Sequence, residues 1–238
     1  MSEILFISPY PTKQRQNEGF IHRIHEIDIL FPSNKRTYLD IRFKSNFKRR
    51  VVLQNNAEIY HLNWFLHFKL IIKLLNQHKK IFIHSVYSGF RIFPHILFAI
   101  KKQTKVFIDT HGVFQEELKY KGEKFTPKFY GCIEKLIFKK SECIIFVSKS
   151  HENYYLKKYP FLNYAKRYVI PTCSSKVFDN YDETKNEIVK SNYNIKDNDV
   201  VFVYSGSTEI WQKIDLMMSL IKHLIGTNSN YKFFLLTA

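Results

Sequence analysis

Asp109-Thr110-His111-Gly112 follows the apolar run Val106-Phe107-Ile108 and sets an imidazole directly after a buried strand, where a ligand can meet it. Gly112 allows close backbone approach. A histidine here could equally do no more than hydrogen-bond a nearby loop, and local sequence leaves both readings open. A second candidate is Ser205-Gly206-Ser207-Thr208-Glu209-Ile210-Trp211-Gln212-Lys213, a small-residue loop between a strand and a helix. Its backbone N–H groups and the helix N-terminus could hold a phosphate, with Lys213 adding a point charge. It matches neither the dinucleotide fingerprint nor the Walker loop, and an ordinary strand-to-helix turn also explains it. A third is the long turn from Pro11 to Gly19, where Gly19 opens the stretch Phe20-Ile21-His22-Arg23-Ile24-His25-Glu26-Ile27. Read alone, it is a flexible loop. Asp197-Asn198-Asp199 has the spacing of a metal–nucleotide motif but precedes a strand, so it reads as a polar turn.

The elements that position these residues follow from hydrophobic pattern. Ile4-Leu5-Phe6-Ile7, Ile81-Phe82-Ile83, Val106-Phe107-Ile108, Cys143 to Val147, Val200 to Tyr204 and Lys232 to Leu236 are short apolar runs. Several are apolar on both faces, as strands of a covered parallel sheet should be. Between them lie helical stripes. Phe129, Cys132, Ile133, Leu136 and Ile137 form one, with Thr126 as N-cap and Pro127 at the first helical position. Ile214, Met217, Met218, Ile221, Leu224 and Ile225 form another, ended by Gly226. Alternating strands and helices predict an α/β fold, a Rossmann-like parallel sheet with helices on both faces. Ligands in such sheets sit beyond the carboxyl ends of the strands, so the segments after each strand gather along one rim. The polar stretch after Ser174 predicts a domain boundary: residues 1–175, a linker over 176–198 holding a short helix, and a βαβ unit over 199–238. A βαβ unit of ~40 residues buries too little apolar surface to stand alone. The chain is therefore expected to be cut short, or to pack its tail on something else.

The chain has 238 residues, 45% hydrophobic and 24% charged, which excludes disorder as the main state. The formal charge of +16 concerns partners rather than fold. It keeps anionic membrane, nucleic acid and phosphorylated substrates in play. Cys132, Cys143 and Cys173 have no metal-ligand spacing, which argues against zinc and disulfides and for a cytoplasmic setting. The N-terminus lacks a secretory pattern, and no apolar run approaches the ~20 residues of a membrane span. The pairs Lys79-Lys80, Lys101-Lys102, Lys139-Lys140 and Lys157-Lys158 fall at predicted helix ends, where cations suit the helix dipole. The cluster from Arg42 to Arg50 mixes cations with Phe43 and Phe47. That suits an anionic membrane surface, although a solvated loop reads the same.

Taken in order, these segments resemble a glycosyltransferase of the GT-B fold, family 4. Ile4 to Pro11 with Gly19 is similar to the family's first strand and glycine loop. Asp109 to Gly112 resembles its segment facing the reacting sugar, and Phe146-Val147-Ser148-Lys149-Ser150 its late strand-to-helix step. Ile170-Pro171 resembles the passage to the second domain, and Tyr204 to Ser207 with Trp211-Gln212-Lys213 the opening of the nucleotide-sugar domain. The resemblance implies metal-independent transfer, usually with retention, from a nucleoside diphosphate sugar to a polysaccharide or lipid-linked acceptor. No cofactor or metal is implied. His111 would face the transferred sugar as the catalytic residue. Gly19, Gly206, Ser207 and Lys213 would bind the donor, and Glu18, Asp109, Gly112 and Ser148 would line the acceptor side or cleft.

Two departures stand out. Ser207 occupies a position where many members carry Arg, and the family's paired glutamates would fall beyond Ala238. Little transferase activity is therefore expected of the isolated chain. The competing readings are a non-catalytic or split subunit needing a partner chain for the donor domain, and a nucleic-acid binder suggested by charge alone. Scattered basic pairs without a binding motif argue against nucleic acid. The expected location is cytoplasmic, with peripheral contact at the inner face of the cell membrane.

Overall fold

The computed structural model describes residues 4–15, 19–99, 104–124, 126–172 and 183–237. The predicted central strands are present as β1 (Ile4–Ile7), β5 (Lys80–His84), β6 (Lys105–Thr110) and β7 (Cys143–Phe146). Four further strands complete the sheet: β2 (Arg36–Arg42), β3 (Arg50–Gln54), β4 (Ala57–Asn63) and β8 (Lys166–Val169). The order is β3-β4-β2-β1-β5-β6-β7-β8, parallel throughout except for the edge strand β3. The chain runs outward from β1 to β4, then returns to lay β5 on the other side of β1. The switch point of this α/β sheet, where ligands are expected, therefore lies between β1 and β5.

Strand β2 escapes hydrophobic scanning because its charged residues are buried with partners, whereas β3 and β8 are largely exposed edge strands. In β2, Arg36 and Asp40 are buried among apolar neighbours. Arg36 Nη1 donates to Asp28 Oδ2 at 2.8 Å and Nη2 to the Asn55 carbonyl, while the Tyr38 hydroxyl donates to Asp28 Oδ1. The hairpin from β3 to β4 turns on Asn55-Asn56, both at positive φ (46° and 60°). Asparagine tolerates that region, and two-residue hairpin turns require it.

Helices cover both faces. One face carries α1 (Gly19–Asp28), whose Ile21 and Ile24 pack with Ile4, Phe6, Tyr38 and Ile59. Each such buried side chain contributes ~1.5–3 kcal/mol. The opposite face carries α2 (Phe68–Gln77), α3 (Val86–Ile92), α4 (His95–Ala99), α6 (Thr126–Lys140) and α7 (Lys149–Lys158) on Leu5, Ile83, Ile108 and Phe146. A short helix, α5 (Phe114–Tyr120), follows β6. In α6 the stripe is rotated from expectation. Ile133, Glu134, Ile137 and Phe138 are buried, whereas Phe129, Cys132 and Leu136 are exposed. Glu134 goes inward because Tyr155 and Tyr159 hydroxyls and Lys158 Nζ all donate to it, at 2.7–2.9 Å.

The chain divides into two compact units. The first comprises residues 1–119 and 123–173; the second comprises residues 120–122 and 174–238. The second holds α8 (Glu183–Asn192), β9 (Val200–Ser205), α9 (Ile214–Thr227) and β10 (Tyr231–Leu236). Strands β9 and β10 pair in parallel from Val200↔Tyr231 to Ser205↔Leu236. On α9 only Ile221 is buried, because one helix on two strands covers little. Asp197-Asn198-Asp199 is a turn, with Asp199 Oδ2 accepting from the Lys196 amide at 2.8 Å. Among the described residues no helix is long and apolar enough to cross a membrane.

Candidate active site

Strands β5 and β6 run in register to His84↔Asp109, which places both side chains on the α1 face at the carboxyl edge. Asp109 is fully buried. Arg23, reaching in from α1, donates Nε to Oδ2 at 2.7 Å and Nη2 to Oδ1 at 2.6 Å. His84 Nδ1 lies 3.2 Å from Asp109 Oδ2. His111 Nδ1 stands 3.5 Å from the same oxygen, an electrostatic contact at the limit of hydrogen bonding. Phe20, the second residue of α1, packs on both imidazoles, with ring centroids 5.1 and 5.3 Å away.

Burial decides the electrostatics. It raises the cost of the Asp109 carboxylate, but the two Arg23 hydrogen bonds and the nearby imidazoles outweigh it. The carboxyl is held below its usual range. Burial pushes His84 the other way, down to about 3, helped by His111 and opposed by Asp109. His84 is therefore neutral at physiological pH, and the Arg23 guanidinium faces the Asp109 carboxylate as its ion-pair partner. His84, Asp109 and His111 also offer donor atoms within 4.8 Å of one another, a possible metal set. Both carboxylate oxygens are already engaged by a guanidinium, so a dication would meet a buried like charge there. The donor set fits an ion pair better than a metal.

The loop after β6 is held from two sides. Gly112 has φ +84°, a region that strains any residue with a Cβ, whereas the Glu117 Oε1 that a Cβ would meet at 2.6 Å is the end of a flexible side chain. Its carbonyl faces His151 Nε2 at 3.2 Å. Ser148 caps α7, accepting from the His151 amide at 3.1 Å. Ser148 thus acts on this site through the helix that presents His151. After β5, Ser85 sits at φ +82°, an unfavourable region for a residue with a Cβ. Backbone strain of this sort concentrates at functional sites.

The expected residues fall into distinct places. His111, Asp109 and Gly112 come together at the carboxyl edge, with Ser148 one helix cap away. Gly19 opens α1 beside Phe20, and a Cβ there would meet open space. Glu18 lies outside the described residues, as does Cys173. In the second unit, Gly206, Ser207 and Lys213 occupy the passage from β9 to α9. The Gly206 amide donates to the Leu236 carbonyl at 3.1 Å, so it is not a donor for a ligand there. Lys213 takes a left-handed conformation (φ 54°) as the N-cap residue of α9. Arg23 and His84 were missed from sequence. The available signal was position: His84 is the last residue of an apolar strand, and Arg23 sits on the buried stripe of α1.

No family model and no curated protein matches the chain. Solved structures do. HepE from Anabaena, in a structure titled as a complex with UDP and glucose, aligns at TM-score 0.63 and 11% identity, over 99% of this chain and 61% of that one. The fold is GT-B. The UDP-forming α,α-trehalose-phosphate synthase of Burkholderia vietnamiensis aligns at TM-score 0.56 and 8% identity, over 100% of this chain and 65% of its own. Sucrose-phosphate synthase of Thermosynechococcus elongatus aligns at 0.52 and 12%, over 99% and 71%. The chain thus spans about two thirds of the length of these GT-B chains, and at such identities the likeness concerns fold.

Proposed function

We propose that this chain acts in sugar transfer from a nucleoside diphosphate sugar, as a family 4 type, retaining, metal-independent glycosyltransferase. The observation that carries the reading is His111, set beside the buried Asp109–Arg23 pair at the carboxyl edge of a GT-B sheet. In such a transfer the bond from the anomeric carbon to the diphosphate breaks, with its electron pair going to the phosphate oxygen. The acceptor oxygen bonds that carbon and gives its proton to the departing nucleotide. His111 would pack on the transferred sugar. Lys213 and the N-terminus of α9 would stabilise the leaving diphosphate, the usual electrostatic contribution in this chemistry.

The test is titration of the full chain with uridine, guanosine and adenosine diphosphate sugars, read by calorimetry. One series is expected to bind, and Lys213→Ala to weaken it about fivefold, near the ~1 kcal/mol of an exposed charge contact. His111→Ala is expected to lower any turnover roughly 100-fold. Binding of none of the three series would overturn the reading. A second reading, a subunit that draws donor residues from another chain, is favoured by the exposed Val203 and Leu236 of the small sheet, 61% and 57% accessible. It predicts nucleotide binding without turnover until that chain is added.

For the acceptor side we propose a saccharide or lipid-linked substrate met at an anionic membrane. Phe47, Phe65 and Phe98 are 64%, 73% and 71% exposed. Arg49 and Lys69 share a surface hollow with Phe65, and Phe68 lies against Phe98. Aromatics interleaved with cations suit anionic headgroups, at about 1 kcal/mol per cation near the surface. Equal sedimentation with neutral and anionic vesicles would remove this part.

A further inference from the structure

On the α1 face, six strands change character at one level. The row Val52, Ile59, Tyr38, Phe6, Phe82, Phe107 is apolar and in register across β3, β4, β2, β1, β5 and β6. Two residues further toward the carboxyl edge, the row becomes polar. Arg50 lies opposite His61, His61 opposite Asp40, and His84 opposite Asp109. Ser8, two residues past Phe6, falls between Asp40 and His84. Its hydroxyl is buried without a hydrogen-bond partner. The candidate active site is therefore one end of a polar row, and the row continues away from it to the opposite edge of the sheet.

At that far end is a hollow of about 190 Å³, lined by Tyr10, Arg15, Asp40, Arg50 and His61 among others. At ~30 Å³ each it holds about six waters, the scale of a sugar ring rather than a nucleotide. Asp40 is already matched, accepting from Arg42 Nε at 2.8 Å with His61 Nδ1 at 3.2 Å. Arg50, also on the lining, is an exposed cation. His61 is 30% exposed, and with Nδ1 on Asp40 its Nε2 is left for a hydroxyl. Four strand spacings separate β4 from β6, ~19 Å. The hollow is thus set back from the reacting centre.

We infer that this hollow recognises an anionic sugar residue of the acceptor, one carrying a carboxylate or a phosphate and set back along the sheet from the reacting hydroxyl. The inference rests on the transferase reading for the word acceptor, but the site stands on its own geometry. Binding energy gathered at a remote residue is a usual means of positioning a reacting group.

The experiment is ligand titration of the full chain followed by NMR of the histidine and tyrosine side chains. The probes are glucuronate, glucose 6-phosphate, glucose and inorganic phosphate. One or both anionic sugars are expected to shift His61 and Tyr10, and to bind at least about tenfold more tightly than glucose. Tighter glucuronate would identify a carboxylate site, and tighter glucose 6-phosphate a phosphate site. Arg50→Ala is expected to weaken the preferred probe about tenfold, and Arg50→Lys less, since charge is kept and the planar fork lost. Arg50 is exposed, and circular dichroism would confirm that the variants fold. Glucose binding as well as its charged relatives, inorganic phosphate binding as well as glucose 6-phosphate, or no shift at all would overturn the proposal. Nucleotide titrations on the same samples separate the two ideas. Anionic-sugar binding without nucleotide binding removes the transferase reading only, and the reverse removes this site only.

Discussion

The polar row contains the same three residue types twice. At one end Asp109 meets Arg23, His84 and His111; at the other Asp40 meets Arg42 and His61. The first set is mostly dry: the Asp109, His84 and Arg23 side chains are 0%, 1% and 8% exposed, with His111 at 19% on its rim. In the second, Arg42 and His61 are 35% and 30% exposed. Partners also differ in origin. Arg42 comes from the same strand two residues away, whereas Arg23 comes from a helix 86 residues earlier. Arg23 Nη2 also donates to the Ile170 carbonyl at 3.2 Å, where the chain leaves the first unit. Identical chemistry thus serves two purposes. The buried set fixes a rigid, pre-organised centre, and the half-exposed set keeps its groups available to a soluble ligand.

If burial is the true difference, removing the carboxylate should cost very different amounts. Asp109→Asn leaves the Arg23 guanidinium buried without a counter-charge, and denaturant unfolding should show a loss of ~3–5 kcal/mol. Asp40→Asn, where Arg42 reaches water, should lose about 1 kcal/mol or less. Equal losses would break the comparison.

A smaller effect comes from acid. His84 is about 3 in the folded protein and near 6.5 unfolded, so the unfolded chain binds more protons below pH 6.5. Its contribution is complete above that value and declines as pH falls toward 3. At pH 5 the loss should be about 2 kcal/mol relative to pH 7.5. Burial lowers His95 to about 4, which adds in the same direction. Thermal melts of His84→Gln should show a flatter pH dependence between 7 and 5 than the parent, and an unchanged slope would contradict a dry centre.

The smallest effect is a surface control. Lys119 Nζ pairs with Glu116 Oε1 at 2.9 Å, but both side chains are more than 40% exposed. Lys119→Ala should shift stability by under ~1 kcal/mol. A larger change would mean that exposure does not predict the strength of ion pairs here.

Apolar runs located β1, β5, β6 and β7, which are covered on both faces, and also β9 and β10, whose apolar residues stay largely exposed. The same scan passed over β2 and β4. Arg36, Asp40 and His61 interrupt their apolar pattern, and the partners that let Arg36 and Asp40 be buried, Asp28 for the one and Arg42 with His61 for the other, show only in the folded chain. His111 and Gly112 were legible because a histidine and glycine after an apolar strand fall on the carboxyl edge by chain order alone. Ser148 was found for its place after a strand, while its work as the cap of α7 needed the helix geometry. His84 was overlooked because a strand-final histidine has no meaning until the neighbouring strand's register sets it against Asp109.

By itself, then, the sequence determined the alternation of strand and helix, the central strands and the residues at their ends, because hydrophobic periodicity is a local property of the chain. Tertiary structure decided which charges are buried, that Arg23 closes on Asp109, and that Arg50, His61, Asp40, Ser8, His84 and Asp109 share one row. Those outcomes depend on strand order and register. They bring together residues far apart in sequence, and the low dielectric that gives a pair such as Arg23–Asp109 its strength exists only once the sheet and its helix have packed.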